Sequence, residues 1–196
     1  MAQPLDFFLF HGSTHTYLTV MRIDAAACAA GVDLRWRPFS VRAIMIEMNN
    51  IPFAGKPAKL SYMWRDIERR AAKLGLPFKG QAVYPADKDL LANYVGTVAA
   101  EEGWCAPYSQ ASYRGWFLED KVLGEPDSVR HAIRACGHDP ERVIARAASQ
   151  AAKARWEAET ETARKLGIFG SPTFAVGSEI FWGDDRLEDA LEWALR

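Results

Sequence analysis

The chain has 196 residues, 49% of them hydrophobic, with 24 Lys plus Arg against 25 Asp plus Glu and no long block of either sign. That length can bury one substantial core or two small ones, about 70% of the unfolded surface, without disulfides or a metal, and so even a charge balance offers nucleic acid no electrostatic footprint. The N-terminus carries no basic leader, and no stretch reaches the ~18 apolar residues of a membrane span. The three cysteines, Cys28, Cys105 and Cys136, are far apart with no C-x-x-C. The expectation is a soluble, cytoplasmic protein with no membrane partner and no dithiol redox site.

Leu5 to Phe10 is an aromatic-rich apolar run of strand length that stops at Gly12, a residue free to turn where others are not. Ser13, Thr14 and Thr16 follow as helix-capping types, and behind them Leu18, Met21, Ala25, Cys28 and Ala29 mark one helical face, which places Cys28 in the core. A strand that runs through a polar turn into a helix start leaves unpaired N–H groups for an anion. Gly31 ends the helix, and Val32, Leu34 and Trp36 alternate with charged residues up to Pro38, giving a second strand. A right-handed crossover makes the two strands parallel.

Beyond Phe39 the periodicity is helical. Leu60, Met63, Trp64, Ile67, Ala71 and Leu74 mark the apolar face of a helix from Lys59 to Leu74, with Arg65, Asp66, Glu68, Arg69 and Arg70 on the solvated side. Further helices are predicted around Leu90 to Val98, Tyr113 to Leu123, Pro126 to Cys136, from Asp139 onward, and from Ser149 to Leu166, with loops at 49–52 and 75–87. Thr173 to Val176 and Glu179 to Trp182 flank Gly177-Ser178 as a hairpin. Asp184 and Asp185 then read as N-caps of a last helix bearing Leu187, Ala190, Leu191, Ala194 and Leu195, with Glu188 completing a capping box. The order β-α-β, helices, β-β-α is that of an α/β thioredoxin-like fold. Its expected divisions are a discontinuous domain of residues 1–39 and 160–196 and an inserted all-helical domain of residues 40–159.

Gly12-Ser13-Thr14 between strand and helix, Asn50 and Lys59, Gly167 to Thr173, and Phe181-Trp182-Gly183-Asp184-Asp185-Arg186 together resemble the 2-hydroxychromene-2-carboxylate isomerases. These are relatives of the kappa-class glutathione transferases within the DsbA-like superfamily. The resemblance spans nearly the whole chain. It implies a glutathione cofactor, a small aromatic substrate from naphthalene-type catabolism, and a homodimer. Ser13 matches the serine standing where redox relatives have a nucleophilic cysteine, with its hydroxyl on the glutathione sulfur. Pro172 matches the cis-proline, and Ser171 before it offers backbone hydrogen bonds to the cysteinyl portion. Asn50 and Lys59 match residues reaching the tripeptide, and Asp184 and Asp185 a pair near the γ-glutamyl amine. Asn49 stands where many relatives have glycine, and 40–48 diverges, so the organic-substrate pocket is less well specified than the glutathione site.

Glutathione is useful as its thiolate, of which about 3% exists at pH 7 for a pKa near ~8.5. Lowering that pKa by about two asks for ~2.7 kcal/mol of anion stabilisation. A helix N-terminus supplies ~0.3–1 kcal/mol and a hydrogen bond to a charged group ~1.5–3. Ser13 is therefore expected to donate its proton to the thiolate rather than attack, although an isolated serine here would read as an N-cap. His11 and His15 flank it without the G-x-S-x-G elbow of a hydrolase, and the four histidines show no metal-ligand spacing. Trp104, Trp116, Tyr84, Tyr113 and Phe117 are either core or the roof of an aromatic pocket. The competing functions are a kappa-like transferase that consumes glutathione and a thioredoxin-like module that only binds glutathione or peptide. A disulfide oxidoreductase lacks a cysteine at position 13.

Overall fold

A four-stranded mixed sheet, in which the strands at 34–38, 5–9, 173–176 and 179–182 lie side by side in that order, organises the computed structural model, which describes residues 2–196. Strand β1 (Leu5–Leu9) pairs in parallel with β2 (Leu34–Pro38), as the crossover required, and antiparallel with β3 (Thr173–Val176). Strand β4 (Glu179–Trp182) closes the predicted hairpin on β3. Because β1 is central, both faces of its pleat are covered, and its sequence is apolar almost throughout. Leu5, Phe7 and Leu9 enter one core cluster, whereas Phe8 and Phe10 enter a second with Phe39, Trp156 and Ile168. Each such buried side chain contributes roughly 1.5–3 kcal/mol. Asp6 is the exception and lies directly across from Arg35, which it pairs at 3.0 Å.

The first helical stretch departs from expectation. It is broken into α1 (Thr16–Val20) and α2 (Ile23–Ala30) at Met21-Arg22, and its buried stripe is Tyr17, Leu18, Val20, Ile23 and Ala27. Ala25, Cys28 and Ala29 face outward instead, so Cys28 is exposed rather than packed in the core. Burying tyrosine, valine and isoleucine removes far more apolar surface than burying alanine and cysteine, and that difference sets the phase. Helix α3 (Val41–Glu47) occupies the divergent segment, capped by Ser40, which accepts from Ala43 N–H. Helix α4 (Pro57–Lys73) buries Met63, Trp64, Ile67 and Ala71 as its periodicity predicts.

Helix α5 (Leu91–Glu102) and α6 (Cys105–Leu118) follow. The latter starts well before the expected Tyr113 because Pro107 falls in its first turn, where the missing N–H costs nothing. Helices α7 (Pro126–Ala135), α8 (Pro140–Ala147) and α9 (Gln150–Lys165) complete the helical layer, and α10 (Leu187–Ala194) packs on the sheet behind a short 3-10 turn, Asp184–Arg186. One apolar cluster runs from β1 through α2 and α10 to α4, α5, α6 and α7, joining sheet and helices. No described helix is long and apolar enough to cross a membrane.

Candidate active site

The end of β1, the start of α1 and the turn before β3 converge on Ser13. Gly12 holds φ at +118°, and a Cβ there would stand 3.1 Å from the Phe10 ring and 3.3 Å from the Ala86 carbonyl, so only glycine makes this turn. Ser13 is half-buried, and its hydroxyl donates to the Ser171 carbonyl at 2.7 Å. Ser13 is therefore not the N-cap of α1: that position belongs to His15, with no side-chain cap bond. Ser171 is fixed in turn, since its Oγ accepts from Phe10 N–H at 3.0 Å and lies 3.0 Å from Thr16 Oγ1. The Ser171-Pro172 bond is cis, and the Pro172 carbonyl accepts from Gly183 N–H, which brings Asp184 and Asp185 alongside.

Two cavities meet at this point, sharing His15, Ser171 and Trp182. The first, about 290 Å³, is charged and is bordered by His15, Asp66, Arg70, Asp184 and Asp185 beside Pro172. Asp184 is 3% exposed and accepts from Arg70 Nε at 2.7 Å and from a terminal nitrogen at 2.6 Å. Burial pushes the Asp184 carboxyl upward, and Arg70 opposes that rise. The N-cap role expected of the aspartates is not taken up, because α10 opens without a side-chain cap bond and Glu188 pairs with Arg22 rather than boxing the helix. Asp185 remains exposed on the cavity rim. His15 Nε2 lies 3.3 Å from Asp66.

The second cavity, about 520 Å³, is mainly apolar, lined among others by Phe10, Met45, Ile51, Phe53, Met63 and Tyr84, with Ser13 at its inner edge. Among the described residues its charged lining side chains are Arg42 and Lys59. Arg42 crosses the Phe10 ring at 5.0 Å and donates to the Ala86, Asp87 and Lys88 carbonyls. Lys59 Nζ stands 5.9 Å from the Phe53 ring. Trp182 forms the partition between the cavities, and it fits because residue 170 is glycine: a Cβ there would fall 2.1 Å from the indole nitrogen.

The structure thus gathers Ser13, Ser171, Pro172, Asp184 and Asp185 around one cleft with Lys59 on its apolar side, while Asn50 is exposed and lines neither cavity. Of the five candidate roof aromatics only Tyr84 reaches the site. Trp104, Tyr113, Trp116 and Phe117 are core. His15, Asp66, Arg70 and Arg42 are added. In the sequence His15 reads beside Ser13 only as a hydrolase partner, Asp66 and Arg70 read as ordinary polar residues of an amphipathic helix, and Arg42 follows a readable signal, the Ser40 cap with Val41, Ile44 and Met45 at helical spacing. None of the cysteines borders either cavity, and no cluster of three or more potential metal-holding side chains occurs among the described residues.

Residues 5–194 match the family model for the DSBA-like thioredoxin domain. The chain belongs to that family. Within it the chain is similar to the 2-hydroxychromene-2-carboxylate isomerase of Sphingobium xenophagum, with 26% identity covering 96% of each chain, and to that of Pseudomonas putida, with 25% identity covering 93% of this chain and 90% of the relative. A solved 2-hydroxychromene-2-carboxylate isomerase superposes with a TM-score of 0.81 at 26% identity, over 97% of this chain and 93% of the other. The resemblance drawn from the motifs and the thioredoxin-like DsbA fold both stand on these findings. The relatives named here are isomerases, and this chain carries serine at position 13.

Proposed function

We propose that the protein is a glutathione-dependent isomerase of an anionic aromatic acid, 2-hydroxychromene-2-carboxylate or a close analogue, giving trans-o-hydroxybenzylidenepyruvate. The observation that carries this reading is that a charged cavity adjoins a larger apolar one at Ser171, whose carbonyl accepts the hydroxyl of Ser13 on the apolar side. A tripeptide with a zwitterionic end and a thiol in its middle suits such a divided cleft.

The residues present fit that peptide. Arg70 and His15 offer donors for the γ-glutamyl carboxylate, and Asp185, which is not engaged by Arg70, offers an acceptor for the ammonium. Ser171 and Pro172 flank the middle of the cleft. Bound glutathione supplies a thiolate that adds reversibly to a conjugated system, permits rotation about the former double bond and is regenerated. Ser13 holds the sulfur as an anion by turning its hydroxyl proton from the Ser171 carbonyl toward it. That exchange replaces a neutral hydrogen bond worth about 1 kcal/mol with a charged one worth ~1.5–3. Helix α1 adds little, because it has only 5 residues.

Arg42 and Lys59 give the apolar cavity a positive wall with no carboxylate among its lining residues, which suits a substrate carboxylate. The test is to add 2-hydroxychromene-2-carboxylate with and without glutathione and follow the interconversion. Isomerisation that needs glutathione without consuming it supports the proposal. Accumulation of a glutathione-bearing product indicates a transferase, and binding with no turnover indicates a binding module.

A further inference from the structure

Behind the Ser13 turn lies a buried polar network that touches neither cavity. Asn93 on α5 is fully buried, and its side chain grips one residue of the turn at both main-chain groups. Oδ1 accepts from His11 N–H at 2.9 Å, and Nδ2 donates to the His11 carbonyl at 2.7 Å. The other Nδ2 proton goes to Asp87 Oδ2 at 2.5 Å, and the Asp87 carboxylate also accepts from the N–H groups of Ala92 and Asn93. This arrangement fixes which way the amide points, since the reverse would set donor against donor. On α6, Tyr113 Oη stands 3.1 Å from the Phe10 carbonyl and 3.0 Å from that of Ser13. Main-chain groups of Phe10 and His11 before Gly12 and of Ser13 after it are thereby held from outside.

An amide buried in a helix interior is costly unless fully paired. An apolar side chain at 93 would serve α5 packing equally well, so packing does not explain asparagine there. The same Asp87 anchors the apolar cavity, because Arg42 donates to its carbonyl and to that of Ala86 while Ala86 lines the wall. We propose that Asn93 and Tyr113 are positioning residues that set the Ser13 oxygen in the apolar cavity, against the Ser171 carbonyl where the two cavities adjoin. The proposal rests on the glutathione reading for its catalytic consequence but not for its structural one.

The test uses the full chain with Tyr113→Phe, which deletes one hydroxyl and keeps the ring, and Asn93→Asp, which keeps the acceptor for His11 N–H but loses both donors. Amide hydrogen exchange of residues 11–14 is measured without glutathione, against α5 as an internal reference. The thiol pKa of bound glutathione and the split between kcat and KM are then measured. Tyr113→Phe should speed exchange at the Ser13 amide about tenfold with α5 unchanged, lower kcat about tenfold and leave the KM for glutathione within about twofold. Unchanged local exchange in a folded Tyr113→Phe protein overturns the proposal. So does a loss of activity that follows the fall in melting temperature with the thiol pKa of bound glutathione unmoved. If Asn93→Asp does not fold, Tyr113→Phe decides alone. If wild-type protein leaves the glutathione thiol at its free pKa, the functional reading fails, and the exchange data still judge the clamp.

Discussion

Replacing Arg70 with methionine should expose how the charged cavity is held together. Asp184 is 3% exposed and draws both of its strong side-chain hydrogen bonds from that one guanidinium. Breaking a buried pair by removing one partner costs ~3–5 kcal/mol. Arg70 itself is 26% exposed in its side chain, so water partly compensates, and ~2–3 kcal/mol is the working figure. For a chain of this length that lowers Tm by roughly 5–10 °C.

The effect has a pH signature. Without Arg70 the Asp184 carboxyl, already raised by burial, rises further above its unfolded value. A group with a raised folded pKa stabilises fully below the unfolded pKa and loses that contribution as pH rises through the folded one. The defect should therefore be small near pH 4 and largest above neutrality. Denaturant unfolding of wild type and Arg70→Met across that range measures it, and Arg70→Met combined with Asp184→Asn should recover most of the loss. A penalty independent of pH, or a double variant no better than the single, would show that Arg70 does not hold a buried Asp184 carboxylate.

His11 is fully buried with its Nε2 on Ser109, and desolvation lowers its pKa to about 4. Its contribution is present above the unfolded value near 6.5 and is lost as pH falls through about 4, at most about 3 kcal/mol. NMR titration of the His11 ring should find it neutral at pH 5.5, and protonation near 6.5 would contradict this. Gly170→Ala must displace the Trp182 indole and so breach the partition between the cavities. The KM for glutathione should rise several-fold with Tm changed by only a few degrees, and an unchanged KM argues against the partition. Lys59→Met lies at an exposed position and should alter stability by less than ~0.5 kcal/mol. It should raise KM for the anionic substrate while leaving glutathione binding intact, and a loss confined to glutathione binding would move Lys59 to the peptide.

What could be read from the sequence was whatever periodicity and turn chemistry encode locally. The β1-α-β2 unit, the Gly177-Ser178 hairpin and the buried stripe of α4 all follow from spacing alone. The break at Met21-Arg22 does not, because it depends on which of two overlapping stripes the rest of the molecule can cover, and the larger side chains of Tyr17, Val20 and Ile23 prevailed. The site divides the same way. Ser13, Ser171, Pro172 and the aspartates sit in recognisable turns, whereas Asp66 and Arg70 sit on the polar side of an amphipathic helix, where nothing local separates a solvated charge from one turned into a cleft. The Asn93 clamp was invisible for a related reason: its partner His11 is 82 residues away in sequence.

Stabilisation of a glutathione thiolate by Ser13 is the step on which the proposed function depends. Thiolate absorbance of glutathione titrated against pH, with wild-type protein and with Ser13→Ala, tests it most directly. In the wild type the bound thiol should be about one to two pH units more acidic than free glutathione, with Ser13→Ala removing about one of them. A bound thiol that keeps its free pKa in the wild type, or an equal shift in Ser13→Ala, would contradict it.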